Sequence, residues 1–187
     1  MKNKIISLLA NLFLFFLFTS QINASEQAWK ILQEGNKVIL IRHSLAPGGG
    51  DPAGFKIDDC KTQRNLNRAG INQSKKIGKL FKQNKVPIDQ VLSSQWCRCK
   101  DTAKHAFGNF KEFTPLNSTF QSPFDKNEGK QLNELYDYVS KWDGKGKNII
   151  LVTHYSIITA VTNVVPSSGE IVITNKDFDV LGSIQTD

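Results

Sequence analysis

The sequence predicts an α/β protein built in three layers, a mostly parallel central sheet with helices packed on both faces. Three observations carry this. Val38 to Ile41 and Asn148 to Thr153 are unbroken aliphatic blocks, the pattern of strands buried on both sides. Between and around them, segments of helical period alternate with short strand-like runs. Each aliphatic block also ends on a histidine, His43 and His154, at the strand edge where open α/β sheets bind ligands.

The elements follow in order. Lys2 and Lys4 precede an apolar run from Ile5 to Thr19, and Ile22, Asn23 and Ala24 fit a small-residue cleavage site. Residues 1–24 therefore read as a cleaved secretory signal, too short to span a membrane, and 25–187 as a single domain. No cysteine follows the run directly, which argues against a lipoprotein. Ser25 to Gly35 reads as an amphipathic helix with Ala28, Ile31 and Leu32 on one face. The strand KVILIRHS, 37–44, then feeds a long loop from Leu45 to about Arg64 that contains Gly48, Gly49 and Gly50. Loops of this length in a compact domain are functional or disordered.

Asn67 is placed to cap a helix over 68–83 whose apolar side is Ile71, Ile77, Leu80 and Phe81, and Val86-Pro87 ends it. Asp89 to Ser93 is a second strand. Ser94 is placed to cap a helix from Gln95 to Phe107, stopped by Gly108. Phe113 to Asn117 reads as a third strand and Ser118 to Lys130 as a polar loop. Leu132, Leu135, Tyr136 and Val139 mark a helix ending at Asp143-Gly144. After the strand at 148–153, Tyr155 to Asn163 is a short helix. Glu170 to Asn175 and Phe178 to Gln185 are closing strands around Lys176-Asp177.

Composition narrows the partners. Twenty-four basic against 17 acidic residues give a formal charge of +7, which favours acidic small molecules or anionic surfaces. Lys75, Lys79 and Lys82 share one side of a predicted helix and read as a solvated face. No basic and aromatic interleaving or zinc-finger spacing points to nucleic acid. No stable membrane insertion is expected once the signal is removed. An exported chain meets oxidising conditions. With three cysteines at most one internal bridge forms, and Cys97 and Cys99 point in different directions on a helix, so only one of them can face Cys60. Cys60 with Cys97 is favoured; three reduced thiols acting as small core residues is the alternative. No metal site is expected, because no ligand spacing is present.

Only three histidines occur, and His105, inside a helical segment, keeps a structural reading. Arg98 lies in the first turn after the Ser93-Ser94 strand end, where free N–H groups and the helix dipole favour an anion. Arg42, Arg98, that helix terminus, His43 and His154 together form an anion cage. The planar fork of arginine takes two oxygens of a phosphoryl group. Flanking arginines keep an imidazole unprotonated and therefore nucleophilic. The chemistry implied is phosphoryl transfer through a phosphohistidine.

The segments ILIRH at 39–43, RNLNRAG at 64–70, SSQWCRCKDTA at 93–103 and ILVTH at 150–154 resemble, in order, those of the histidine phosphatase superfamily, also called the phosphoglycerate mutase-like fold. The resemblance implies that His43 is the phosphorylated nucleophile and that Arg42, Arg98 and His154 bind the phosphoryl oxygens. Arg64 would lie near the substrate or form a salt bridge at the base of the loop. The short chain and its export signal are similar to the small periplasmic branch, which includes phosphatases of lipopolysaccharide heptose phosphate. A periplasmic or secreted phosphomonoesterase acting on a small phosphorylated substrate, such as a sugar phosphate, is the function implied, with no cofactor. Two departures stand out. Ser44 replaces the usual glycine, narrowing the pocket or adding a hydroxyl to substrate binding. The general acid has no clear counterpart: Ser118 falls where mutase-like members carry glutamate, leaving Asp125 and Glu128 as candidates, with Asp51 as a further one. This favours hydrolysis over mutase activity. A phosphate-binding protein without turnover is the alternative.

Overall fold

The computed structural model describes residues 25–187. The expected leader at 1–24 lies outside the described residues. Six strands, β1 (Val38–Arg42), β2 (Ile88–Ser93), β3 (Lys111–Glu112), β4 (Asn148–Thr153), β5 (Ile171–Thr174) and β6 (Val180–Ile184), form one sheet in the order β3-β2-β4-β1-β5-β6. The pairs β3/β2, β2/β4 and β4/β1 are parallel; β1/β5 and β5/β6 are antiparallel. The sheet is therefore parallel through the half that carries both histidines.

The pleat assigns alternate residues to opposite faces. Ile39 and Ile41 of β1, with Ile150 and Val152 of β4, join one core cluster. It is covered by a helix over 25–33 (α1), by α2 (Arg68–Gln83) and by α3 (Cys97–Phe107). Val38, Leu40, Ile149 and Leu151 point the other way, onto α4 (Glu128–Lys141) and α5 (Tyr155–Thr162). The two aliphatic blocks feed both layers at once, which is why neither alternates in sequence. No helix among the described residues is long and apolar enough to cross a membrane.

Asn67 caps α2 by accepting from the Gly70 amide at 2.8 Å. Gly78 lets α2 and α3 cross closely: a Cβ there would sit 2.1 Å from the Ala106 carbonyl oxygen. The bridge is Cys60–Cys97, with Cα atoms 5.7 Å apart, while Cys99 is a free, buried thiol. Burial pushes that thiol up to about 12, so it stays protonated and acts as a small core residue.

Three segments differ from the sequence reading. The third strand is only Lys111–Glu112, and 113–117 curls into a 3₁₀ turn over Thr114–Leu116. Pro115 has no N–H for a ladder, and the Pro115 and Asn117 carbonyls accept instead from Gln131 Nε2. The polar loop ends at a 3₁₀ turn, and α4 starts at Glu128, four residues before its apolar face becomes visible at Leu132. Helix α3 starts at Cys97 rather than Gln95, because the amides of Gln95 and Trp96 are taken in a turn by Asn117 Oδ1 and Ser94 Oγ.

Candidate active site

Register brings the two histidines together. Arg42 of β1 pairs with Thr153 of β4, so the next residues, His43 and His154, leave adjacent parallel strands side by side. The His43 amide donates to the Thr153 carbonyl at 2.9 Å, and the imidazole centroids are 5.5 Å apart. Both side chains are buried, each 2% exposed.

The His43 tautomer follows from its partner. Nδ1 lies 2.8 Å from the Ser44 carbonyl, which can only accept, so Nδ1 carries the proton and Nε2 keeps a lone pair. Burial, then the nearby Arg98 charge, hold this imidazole well below the ordinary histidine range. The ring is therefore held neutral, with Nε2 free to accept. His154 has the opposite tautomer. Arg98 Nη2 faces its Nδ1 at 3.4 Å and can only donate, so Nε2 carries the proton and donates to Ser94 Oγ at 2.9 Å. Burial and Arg98 lower its proton affinity as well.

Positive charge surrounds the pair. Arg98 Nη1 donates to both carboxylate oxygens of Asp51, at 2.8 and 3.1 Å, in a pair 3% and 2% exposed. Asp51 also accepts from Trp96 Nε1 at 3.0 Å and from the Arg64 amide at 3.0 Å. Arg64 donates to the Gly50 and Ala46 carbonyls, fixing the glycine-rich loop. Arg42 donates to the Pro166 carbonyl at 2.8 Å, with its guanidinium 5.5 Å from the Tyr155 ring. Arg42 Nε and Arg98 Nε are buried donors with no acceptor. A cavity of about 90 Å³ lies among Arg42, His43, Arg64, Arg98 and His154, walled by Gly48 to Gly50, Ser118, Phe120 and Tyr155. One carboxylate, Asp51, thus faces three guanidiniums, and the site is strongly cationic.

Among solved structures, the chain is similar to the protein histidine phosphatase SixA complexed with tungstate, at 15% identity over 80% of this chain and 97% of that one, TM-score 0.53. A phosphoglycerate mutase from Thermus thermophilus aligns at 14% identity over 81% and 99%, TM-score 0.54. A proposed alpha-ribazole-5'-P phosphatase from Escherichia coli aligns at 15% identity over 78% and 94%, TM-score 0.56. The chain has the phosphoglycerate mutase-like α/β fold. No family model and no curated protein sequence matches the chain.

On that fold the remaining sequence candidates fall in two groups. Arg64 lines the cavity, and it ties the glycine-rich loop through backbone carbonyls rather than through the expected salt bridge. Ser44 does not reach the cavity. It is fully buried between helices, its amide donating to Thr102 Oγ1 and its hydroxyl accepting from Ser74 Oγ at 2.8 Å. Asp125 and Glu128 are exposed and outside the cavity wall, and Glu128 instead accepts from Thr119 Oγ1. Asp51 is near the site but is committed beneath Arg98 as an acceptor, so it anchors that guanidinium rather than donating a proton. Sequence reasoning missed Tyr155, Phe120 and the Trp96–Asp51 bond. Only Tyr155, directly after His154, carried a positional signal. Among the described residues, no group of three His, Cys, Asp or Glu side chains is arranged to hold a metal ion.

Proposed function

We propose that this protein is a phosphomonoesterase that works through a phosphohistidine on His43. One observation carries the reading: the only lone pair on His43, at Nε2, belongs to a neutral imidazole at a small cavity walled by three arginines. Two of those arginines hold buried Nε donors without acceptors. An unsatisfied buried donor costs about 1–3 kcal/mol, and a phosphoryl group would supply the acceptors. His43 Nε2 attacks phosphorus, the N–P bond forms and the ester P–O bond breaks, its electron pair staying on the departing oxygen, which then takes a proton from water. Water then attacks phosphorus, the P–N bond breaks with its electron pair returning to Nε2, the water's proton passes to solvent, and inorganic phosphate leaves with His43 restored. The Nδ1–H bond to Ser44 supports the positive charge that the ring gains on phosphorylation. The arginines stabilise the transferring group, and His154, accepting from Arg98 Nη2 and donating to Ser94 Oγ, holds that guanidinium in place. The fold shared with SixA, whose solved complex holds tungstate, agrees with an oxyanion site.

The Cys60–Cys97 bridge supports residence in an oxidising compartment, periplasmic or secreted. A sugar phosphate is one candidate among small phosphorylated substrates. A second reading, phosphate binding without turnover, draws on the absence of any carboxylate from the cavity wall. Phosphate release from p-nitrophenyl phosphate, whose leaving group needs no proton, separates the two. The phosphatase reading expects turnover that His43→Ala abolishes while inorganic phosphate still binds. Binding of phosphate without any release by the unaltered protein would support the second reading.

A further inference from the structure

We propose that the alcohol portion of the substrate is a flat apolar ring, an aryl phosphate, seated against Phe120 and Tyr155. This rests on the reading of the cavity as a phosphate site.

Phe120 is 52% exposed although it is a large aromatic side chain on the cavity wall. Its ring meets that of Tyr155 edge-on, with centroids 5.5 Å apart. The two form an aromatic wall beside the cavity that holds the two histidines and three arginines. Gly48 to Gly50 also line the cavity without side chains; a Gly50 Cβ would sit 3.8 Å from the Phe120 ring, whereas nothing lies within 4 Å of where a Gly49 Cβ would be. The exposed Phe120 ring, with open space beside Gly49, suits a planar apolar group, because rings prefer offset or edge contacts with other rings.

The polar groups point the same way. Beyond the arginines and histidines, the only polar side-chain groups on the wall are the hydroxyls of Ser118 and Tyr155, and Ser118 Oγ already accepts from the Phe120 amide. No carboxylate or carboxamide on the wall can read a hydroxyl-rich alcohol. Leaving-group chemistry gives an independent argument. With no carboxyl on the wall to donate a proton, the departing oxygen leaves as an anion and is protonated by water afterwards. A phenol, with a pKa of about 10, tolerates this far better than an aliphatic alcohol, whose oxygen resembles water at about 15.7. In the reaction, the His43 Nε2–P bond forms as the P–O(aryl) bond breaks, and the bonding pair stays on the phenoxide.

Phosphonates test the ring contact without the leaving group, since the P–C bond does not break. Affinities of phenylphosphonate, methylphosphonate and 2-hydroxyethylphosphonate for the purified protein are to be measured by calorimetry. Phenylphosphonate is expected to bind roughly tenfold tighter than the other two, and Phe120→Ala to shrink that ratio by roughly 3- to 10-fold, the worth of one ring contact. Phe120→Tyr should keep it. Equal affinities for the three, or an unchanged ratio in Phe120→Ala, would overturn the aryl assignment while leaving the phosphate site standing. If neither inorganic phosphate nor any phosphonate binds, the reading of the cavity itself fails, and this inference with it.

Discussion

Asp51 decides where the Arg98 guanidinium can be. Its two oxygens take Arg98 Nη1, while Trp96 Nε1 and the Arg64 amide complete its shell. Removing one partner of a buried pair leaves the other charge uncompensated, at a cost of about 3–5 kcal/mol. Asp51→Asn is therefore expected to lower unfolding stability by that order in urea titrations and to weaken phosphate binding. The Asn amide would set its own donors against Arg98. The buried histidines make a second prediction at this scale. Both His43 and His154 have folded-state proton affinities held well below 6.5, first by burial and then by Arg98. Below pH 6.5 the unfolded chain takes up protons that the folded chain refuses, so stability falls as pH drops from about 6.5 towards the folded values. Each histidine contributes up to about 1.4 kcal/mol per pH unit over that window. Urea midpoints at pH 7.5 and 5.5 should show the loss, and His154→Asn should flatten it. The two histidines were readable from sequence because each follows an aliphatic strand. The role of Asp51 was not, since Asp51 and Arg98 stand 47 residues apart and meet only through the folded loop.

The loop between β1 and α2 and the first turn of α3 act as one unit. Cys60–Cys97 joins them covalently, and beside it the Cys97 amide donates to Gln63 Oε1 at 2.9 Å. The bridge closes a sequence separation of 37 residues, for which chain entropy gives about 4 kcal/mol. Cys60→Ser with Cys97→Ser should lose stability of that order and weaken phosphate binding, because Asp51 and Arg64 both lie on the tethered loop. Unchanged phosphate affinity in a folded double variant would show that the loop is held by its hydrogen bonds alone. At this scale the sequence was most informative where period and hydrophobicity agree, as in α2 with its Asn67 cap. It was least informative at 111–131, where Pro115 and the long-range bonds from Gln131 override a strand-like composition.

Across the whole molecule, the site depends on parallel register. Pairing Arg42 with Thr153 makes His43 and His154 neighbours, and α3 brings Arg98 to them from the adjoining strand. The α/β layers and the two strand ends were legible because buried aliphatic runs identify central strands whatever their partners. The aromatic wall of Phe120 and Tyr155, and the absence of Asp125 and Glu128 from the cavity, were not, because loop paths over a sheet edge are set by tertiary contacts. The excess of guanidinium over carboxylate at that edge gives the overall positive charge of the chain a local use. Catalysis as proposed requires that phosphorus be transferred to one imidazole nitrogen. Rapid-quench labelling with a ³²P-labelled aryl phosphate, followed by peptide mapping, tests this most directly. The expected result is an acid-labile, alkali-stable label on the peptide containing His43 that is absent from His43→Ala. Phosphate release with no such label, or the same label in His43→Ala, would contradict it.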